Sequence, residues 1–340
     1  MEQSIWEHLS VYGSVDVVKQ AYFRKHHRQL SAQKAIEITS HILQGRDYFE
    51  GVNHASQLTK PLLLYYGVLA FTRAVILFND PRARETSLSS SHGLQIVGWQ
   101  NTLSLGLKYL PDLQVRFCRG SFSEFAFVTS NNQNVRAITL LGNRREEDLI
   151  AVAGTRDVST ATLTLKDILE RLPDLIEIYH RIYEELPRSY LCRAVFVTPP
   201  GALEINLRDF SGRAPTTQEL KRHLALPDDA RFSVFDKGEN LYLHIDRLSR
   251  DDMVDSFPYV VSSGSKTFLL APFSGGLKLS YFSLLFVASY MIGMMVRYFP
   301  TVWASLSRGI NGDMVFPLLE ASVNAVQRQF PVTLLEEFER

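Results

Sequence analysis

Lys60-Pro61-Leu62-Leu63-Leu64-Tyr65-Tyr66-Gly67 opens a run that stays apolar through Phe78, broken only by Thr72 and Arg73, and stops at Asn79-Asp80-Pro81. Proline suits the first turn of a helix, where its missing N–H has no intrahelical partner anyway. The stretch therefore predicts one long helix over residues 62–78. Arg73 sits near its middle, a costly place for a charge in lipid, so the helix is expected inside a protein core. A second run, Leu277 to Phe299, carries no charge between Lys278 and Arg297 and is closed by Pro300. Roughly eighteen uncharged positions just reach the length of a membrane span. Ser280, Ser283, Ser289, Tyr281, Tyr290 and Gly293 make the run polar, and its small residues suit close helix packing. A buried core helix is expected here too, and membrane attachment is the lesser reading.

Working outward from the first run, Ser14 can cap a helix that ends near Leu30, and Ser31 opens a longer one with Ala35, Ile38, Ile42 and Phe49 at helical spacing. Gly45 predicts a kink or break within it. Residues 82–95, rich in serine, read as an exposed loop. Beyond them the pattern changes to strands at Val115–Cys118, Glu124–Val128, Ala137–Leu141 and Leu149–Val152, then at residues 193–198, 202–207, 232–235, 241–245 and 267–270. An amphipathic helix over Thr164–Leu186 interrupts them, with Pro173 marking a kink or boundary, and a short helix is expected over Thr216–Leu224. After the second apolar run come a short helix holding Val302, Trp303 and Leu306 and a last one from Phe316 to Phe330. The expected class is α+β. N- and C-terminal helical regions (residues 1–110 and 272–340) pack together, and a strand-rich middle (111–271) carries one long helix.

Lys+Arg and Asp+Glu both number 36, giving a formal net charge of zero. That argues against a surface built mainly to coat nucleic acid. Two cysteines, Cys118 and Cys192, sit far apart in apolar stretches and read as buried free thiols, so neither a disulfide scaffold nor a structural zinc site is expected. The opening residues Met1 to Glu7 show no basic region followed by an apolar run, hence no signal peptide, and the expected location is the cytoplasm.

No complete catalytic motif is present in the sequence. Gly264-Ser265-Lys266-Thr267 lacks the upstream glycine of a P-loop, since residue 259 is tyrosine. It reads as a turn. Gly275-Gly276 precedes a helix and could offer amides to an anion, or serve as a flexible connection. Glu37 with His41 and Glu50 with His54 are each four apart and could share a helix face, as metal or proton-transfer pairs or as ordinary surface pairs. Lys19, Arg24, Lys25, His26, His27 and Arg28 form a basic run without an acid, either a phosphate contact or a solvated face. Arg73 and Arg297 each belong to an apolar helix, and a buried arginine demands a carboxylate, phosphate or carbonyl partner. If the terminal helices pack together, the two could share one pocket, or each could hold a structural ion pair. His92-Gly93 ends the serine-rich loop and is a further binding candidate.

Three stretches taken together resemble the bacterial YaaC-like family: the Lys60 to Gly67 segment, the loop ending in His92-Gly93-Leu94, and Tyr281 to Trp303 with Met295-Val296-Arg297-Tyr298-Phe299-Pro300. The resemblance implies a cytoplasmic bacterial protein and brings no catalytic residues to carry over. It draws attention to Lys60, Tyr65, Tyr66, His92, Arg297 and Tyr298, whose aromatic and cationic side chains suit a pocket for an anionic or planar ligand. They equally suit the packing of two helices.

The function expected from these residues is a non-catalytic binding or interaction protein. It would hold a nucleotide or nucleic-acid ligand in a cationic, aromatic pocket and contact a protein partner or a second copy. The alternative is a nuclease or nucleotide-processing effector, in a setting such as phage defence. No cofactor is named by the sequence, and no metal site is expected.

Overall fold

The computed structural model describes residues 2–141, 144–152, 154–158, 160–198, 202–207, 214–226, 232–237, 240–246, 259–263, 266–310 and 313–339. In chain order the first elements are α1 (Glu2–Val11), α2 (Val15–His26), α3 (Ala32–His54), α4 (Lys60–Asn79), β1 (His92–Val97), α5 (Trp99–Leu105), β2 (Gln114–Gly120) and α6 (Ser121–Val128). The middle holds β3 (Gln133–Leu141), β4 (Arg144–Val152), β5 (Thr162–Thr164), α7 (Leu165–Leu169), α8 (Ile176–Tyr183), β6 (Ser189–Thr198), β7 (Ala202–Leu207), α9 (Thr217–His223), β8 (Phe232–Lys237), β9 (Asn240–Ile245), β10 (Tyr259–Ser263) and β11 (Lys266–Leu270). Three helices follow: α10 (Tyr281–Tyr298), α11 (Pro300–Ser307) and α12 (Phe316–Glu339). The class is α+β, with helices at both ends of the chain and most strands between them.

The chain divides into two compact units. The first comprises residues 1–129, 156–168 and 282–340, and the second comprises residues 130–155 and 169–281. In the first unit the two ends of the chain pack together, as expected. The last helix, α12, lies against α1, α2 and α4. Lys25 of α2 reaches Glu337 of α12 at 3.0 Å, in a pair whose carboxylate is almost fully buried. The Phe282 ring of α10 meets Phe330 of α12 at 4.6 Å.

The α3–α4 pair is held at close range by reciprocal glycines. A Cβ at Gly45 would fall 2.5 Å from the Phe71 ring, and one at Gly67 would fall 2.6 Å from the Phe49 ring. Gly45 does not break α3, one of the two outcomes expected from the sequence. The helix runs unbroken through it, and the missing side chain makes room for a neighbour's ring.

Other boundaries also differ from expectation. Residues 124–128 form helix rather than strand. Phe122, Phe125 and Ala126 are buried at spacings of three and four, and Ser123 accepts a hydrogen bond from the Gly120 N–H at 2.9 Å, closing the first turn. The serine-rich loop is shorter than expected, because residues 92–97 pair with β2. Residues 164–186 break into α7, a single turn at Pro173–Leu175 and α8, with Pro173 at the start of that turn. Pro331 does not end α12, which continues to Glu339.

The first unit also holds a small antiparallel sheet in the order β1-β2-β5. At its edge the backbones of Gly93 (φ 77°) and Gly120 (φ 152°) nearly touch. A Cβ at Gly120 would lie 2.4 Å from the Gly93 nitrogen, so both positions require glycine for space and for backbone conformation. The second unit is built on an eight-stranded sheet running β10-β11-β6-β7-β9-β8, in which β3 pairs with β4 and, in parallel, with β6. The long strand β6 is shared along one edge, its first half by β11 and its second half by β3. Cys192 on β6 is buried and free, and its thiol pKa is pushed up by desolvation.

Candidate functional site

The residues that converge in the first unit come from α4, β1 and α10. On α10, Phe286, Tyr290, Gly293 and Arg297 recur at steps of three and four, the period that places them along one helix face. Gly293 lets that face approach α4, since a Cβ there would lie 2.8 Å from the Cβ of Tyr65. Tyr65 is fully buried, and its ring meets Tyr290 at 5.5 Å and Phe286 at 6.3 Å, both edge-on. On β1 the register slips between His92 and Leu94. Such a bulge re-aims a side chain, and His92 meets Tyr65 here, with Nδ1 2.6 Å from the phenol oxygen. The Tyr290 hydroxyl donates to the Leu94 carbonyl at 2.7 Å, tying α10 to the same strand.

Burial sets the electrostatics of this cluster. Desolvation raises the Tyr65 phenol well above its ordinary range, and Tyr290 and Tyr66 push the same way. The Tyr290 hydroxyl is itself pushed up to about 12 by burial. His92 moves in the opposite sense, lowered first by desolvation and then by the positive charges of Arg297 and Arg73. At neutral pH the pair is thus a protonated phenol and a neutral imidazole. In the arrangement that satisfies both, the phenol donates to Nδ1 and the proton of the imidazole sits on Nε2.

Arg73 and Arg297 act on both Tyr65 and His92, so the structure brings these four residues into one electrostatic neighbourhood. Neither arginine makes an ion pair with an acid among the described residues, and Arg73 Nε is buried without a hydrogen-bond partner. Arg297 is exposed, with its guanidinium 5.1 Å from the centroid of the exposed Tyr298 ring. Desolvation lowers the pKa of buried His41 on α3, against the Glu85 carboxylate 3.5 Å from its Nε2, and Arg73 adds to the lowering. Among the described residues, the neighbourhood therefore holds two guanidinium groups without an acid partner and two imidazoles kept neutral.

The other expected residues are placed differently. Lys60 donates to Asn324 at 3.2 Å, and Tyr66 stacks obliquely with Tyr48 at 5.9 Å. The basic run is divided. Lys25 is taken by Glu337 and the His26 ring packs on Tyr22 and Phe78, while Lys19 lies 3.9 Å from Asp16. That leaves Arg24, His27 and Arg28 exposed. Glu37 binds Arg84 instead of His41, through an N–O contact of 2.5 Å, and is held below the usual carboxylate range by that hydrogen bond. Glu50 and His54 are both exposed. Gly275 and Gly276 adopt positive φ in a short turn. Gly264 and Ser265 lie outside the described residues. No group of three metal-ligating side chains occurs among the described residues. Tyr290 and Gly293 entered the sequence reading only as polar and close-packing residues of the second apolar run, and His41 only as the neighbour of Glu37; none was assigned to this cluster. The Phe286–Tyr290–Gly293–Arg297 spacing is the signal that would have found the first two.

Each unit also has a cleft. That of the first measures about 530 Å³ and is lined by residues of α4, the segment that follows it, β2, α6 and the segment around Arg156. That of the second measures about 640 Å³ and includes Glu170, His180, Arg188, Glu219 and His223. There the Tyr190 hydroxyl lies 2.5 Å from His223 Nδ1, and desolvation followed by Arg188 and Arg222 lowers His223 to about 4.

Two helices, Lys60–Asn79 and Tyr281–Tyr298, are long and apolar enough to cross a membrane by length and composition. They are 72% and 89% buried within the fold, as core helices are. No curated protein and no solved structure matches the chain. A family model does match, over residues 10–338, and the three segments that carry the likeness include Tyr65, His92 and Arg297 of the cluster above. The chain belongs to the YaaC-like protein family.

Proposed function

We propose that this is a non-catalytic binding protein of the cytoplasm that holds an anionic, phosphate-bearing ligand at the Tyr65–His92–Arg73–Arg297 cluster. Its helical unit would carry contacts to a protein partner or a second copy, for which exposed apolar side chains such as Leu105 and Met314 are suited. The observation that carries the reading is the pair of guanidinium groups without an acid partner, set beside a neutral tyrosine–histidine pair. Guanidinium recognises phosphate and carboxylate through two parallel hydrogen bonds, and a partly buried one without a partner gains most from such a ligand. Catalysis fits less well, because a phenol raised this far is a poor acid and His92 Nδ1 is occupied by it. The nuclease alternative rests on the basic run, of which Lys25 and His26 serve internal packing, and on His26, His27, His41, His54 and His92, of which His92 is taken up by Tyr65.

The test is calorimetric titration with inorganic pyrophosphate, comparing the natural protein with Arg73→Ala and Arg297→Ala. Charge-assisted hydrogen bonds contribute about 1.5–3 kcal/mol each, so each variant should weaken binding at least tenfold. The reading fails if pyrophosphate does not bind, or if both variants bind it unchanged.

A further inference from the structure

The cleft of the first unit shares no residue with the cluster just described. Three of its features are unexplained by packing. Glu124, on α6, lines it with a buried carboxylate oxygen, Oε2, that has no hydrogen-bond partner. Arg82 and Arg119 line it too, and neither pairs with a carboxylate among the described residues, although three acidic side chains share the cleft. Phe127, one turn beyond Glu124, is 61% exposed, and the Arg156 guanidinium lies 5.9 Å from its ring centroid.

Each feature specifies one part of a ligand. An ionised carboxylate only accepts hydrogen bonds, so Glu124 Oε2 calls for a donor. Arg82 and Arg119, exposed at the cleft and without an acid partner among the described residues, suit an anion. An exposed phenyl ring beside a guanidinium is a platform for a flat aromatic system. The volume, about 530 Å³, lies within the ordinary range of small-molecule sites. We infer that this cleft binds a nucleoside phosphate whose base carries an exocyclic amine. The base would stack on Phe127, its amine would donate to Glu124, and its phosphate would meet Arg82 and Arg119. The site is additional to the anion cluster and does not depend on it.

Adenosine monophosphate and purine riboside monophosphate differ only by the exocyclic amine, and both keep N1 as an acceptor, so the pair isolates the contact. Titration of the full chain should give binding of adenosine monophosphate at least tenfold tighter than purine riboside monophosphate. Glu124→Ala should bring the first down to the level of the second, and Arg119→Ala should weaken both to the same extent. Arg297→Ala, in the other cluster, should change neither, and circular dichroism melts would verify that each variant is folded. The inference is overturned if adenosine monophosphate does not bind, if Glu124→Ala preserves the discrimination, or if Arg297→Ala removes the binding.

Discussion

Adding one methyl group at two positions of the same helix should move stability in opposite directions. Gly45 and Gly51 both lie inside α3. Replacing a helical glycine by alanine gains about 1 kcal/mol from helix propensity. At Gly51 nothing lies within 4 Å of the new Cβ, so Gly51→Ala should be stabilising by about that amount. At Gly45 the Cβ would meet three atoms of the Phe71 ring at 2.5–2.8 Å. That ring is fully buried and hemmed in by Phe49 at 5.3 Å and Trp6 at 6.4 Å, so it cannot swing aside. Overpacking of this kind costs about 1–3 kcal/mol. Gly45→Ala should therefore be neutral to destabilising by about 2 kcal/mol, leaving a gap of about 1–3 kcal/mol between the two variants. Urea unfolding followed by circular dichroism reads the gap directly, as a difference in midpoint at equal slope. Phe71→Leu in the Gly45→Ala background should recover part of the loss, a coupling expected only of residues in contact. If Gly45→Ala stabilises as much as Gly51→Ala, the close approach of α3 and α4 argued above is wrong.

Two further outcomes follow from pairs within single units. Lys25→Met should destabilise the first unit by about 3 kcal/mol in urea unfolding, because it removes the cation from the buried Glu337 carboxylate, to which Asn79 also donates. Adding Glu337→Leu should restore most of that, and a neutral Lys25→Met would show that the pair is not buried as described. In the second unit, His223 has a folded pKa of about 4 against about 6.5 in an unfolded chain. The unfolded state therefore binds the extra proton first, and stability should be full above pH 6.5 and fall as pH drops towards 4. His223→Gln should flatten that slope in a pH series of melts, and an unchanged slope would remove His223 as its source.

The parts of the fold legible in the sequence are those governed by one element's own chemistry. Pro61 at the start of α4, Ser31 at the cap of α3, whose hydroxyl accepts from the Lys34 N–H, and the uncharged run of α10 all announce themselves locally. What misled was context. The Gly120 hinge and the burial of Phe122 and Phe125 turn an apolar stretch that looks like a strand into α6. Pro331 sits inside α12 because the surrounding helix packing outweighs one lost backbone hydrogen bond. The cluster around Tyr65 was partly visible as residue types, arginine within apolar helices and histidine at a loop end. Its connecting logic was not, because Gly293, Tyr290 and the β1 bulge act only once α10, α4 and β1 are adjacent. The cleft around Glu124 was invisible for the same reason, with residues drawn from positions 76 to 157 of the chain.

The 312 residues that separate Lys25 from Glu337 also set a clock. A ribosome adds residues at about 5–20 per second, so α1, α2 and α4 wait roughly 15–60 s after their synthesis before α12 exists to cover them. All of the second unit is translated within that interval, and its strands can pair before the first unit closes. The N-terminal helices therefore spend the longest time with apolar faces uncovered. Holding factors would engage them there, and a synonymous codon change that slows translation between residues 130 and 315 would act most strongly on yield.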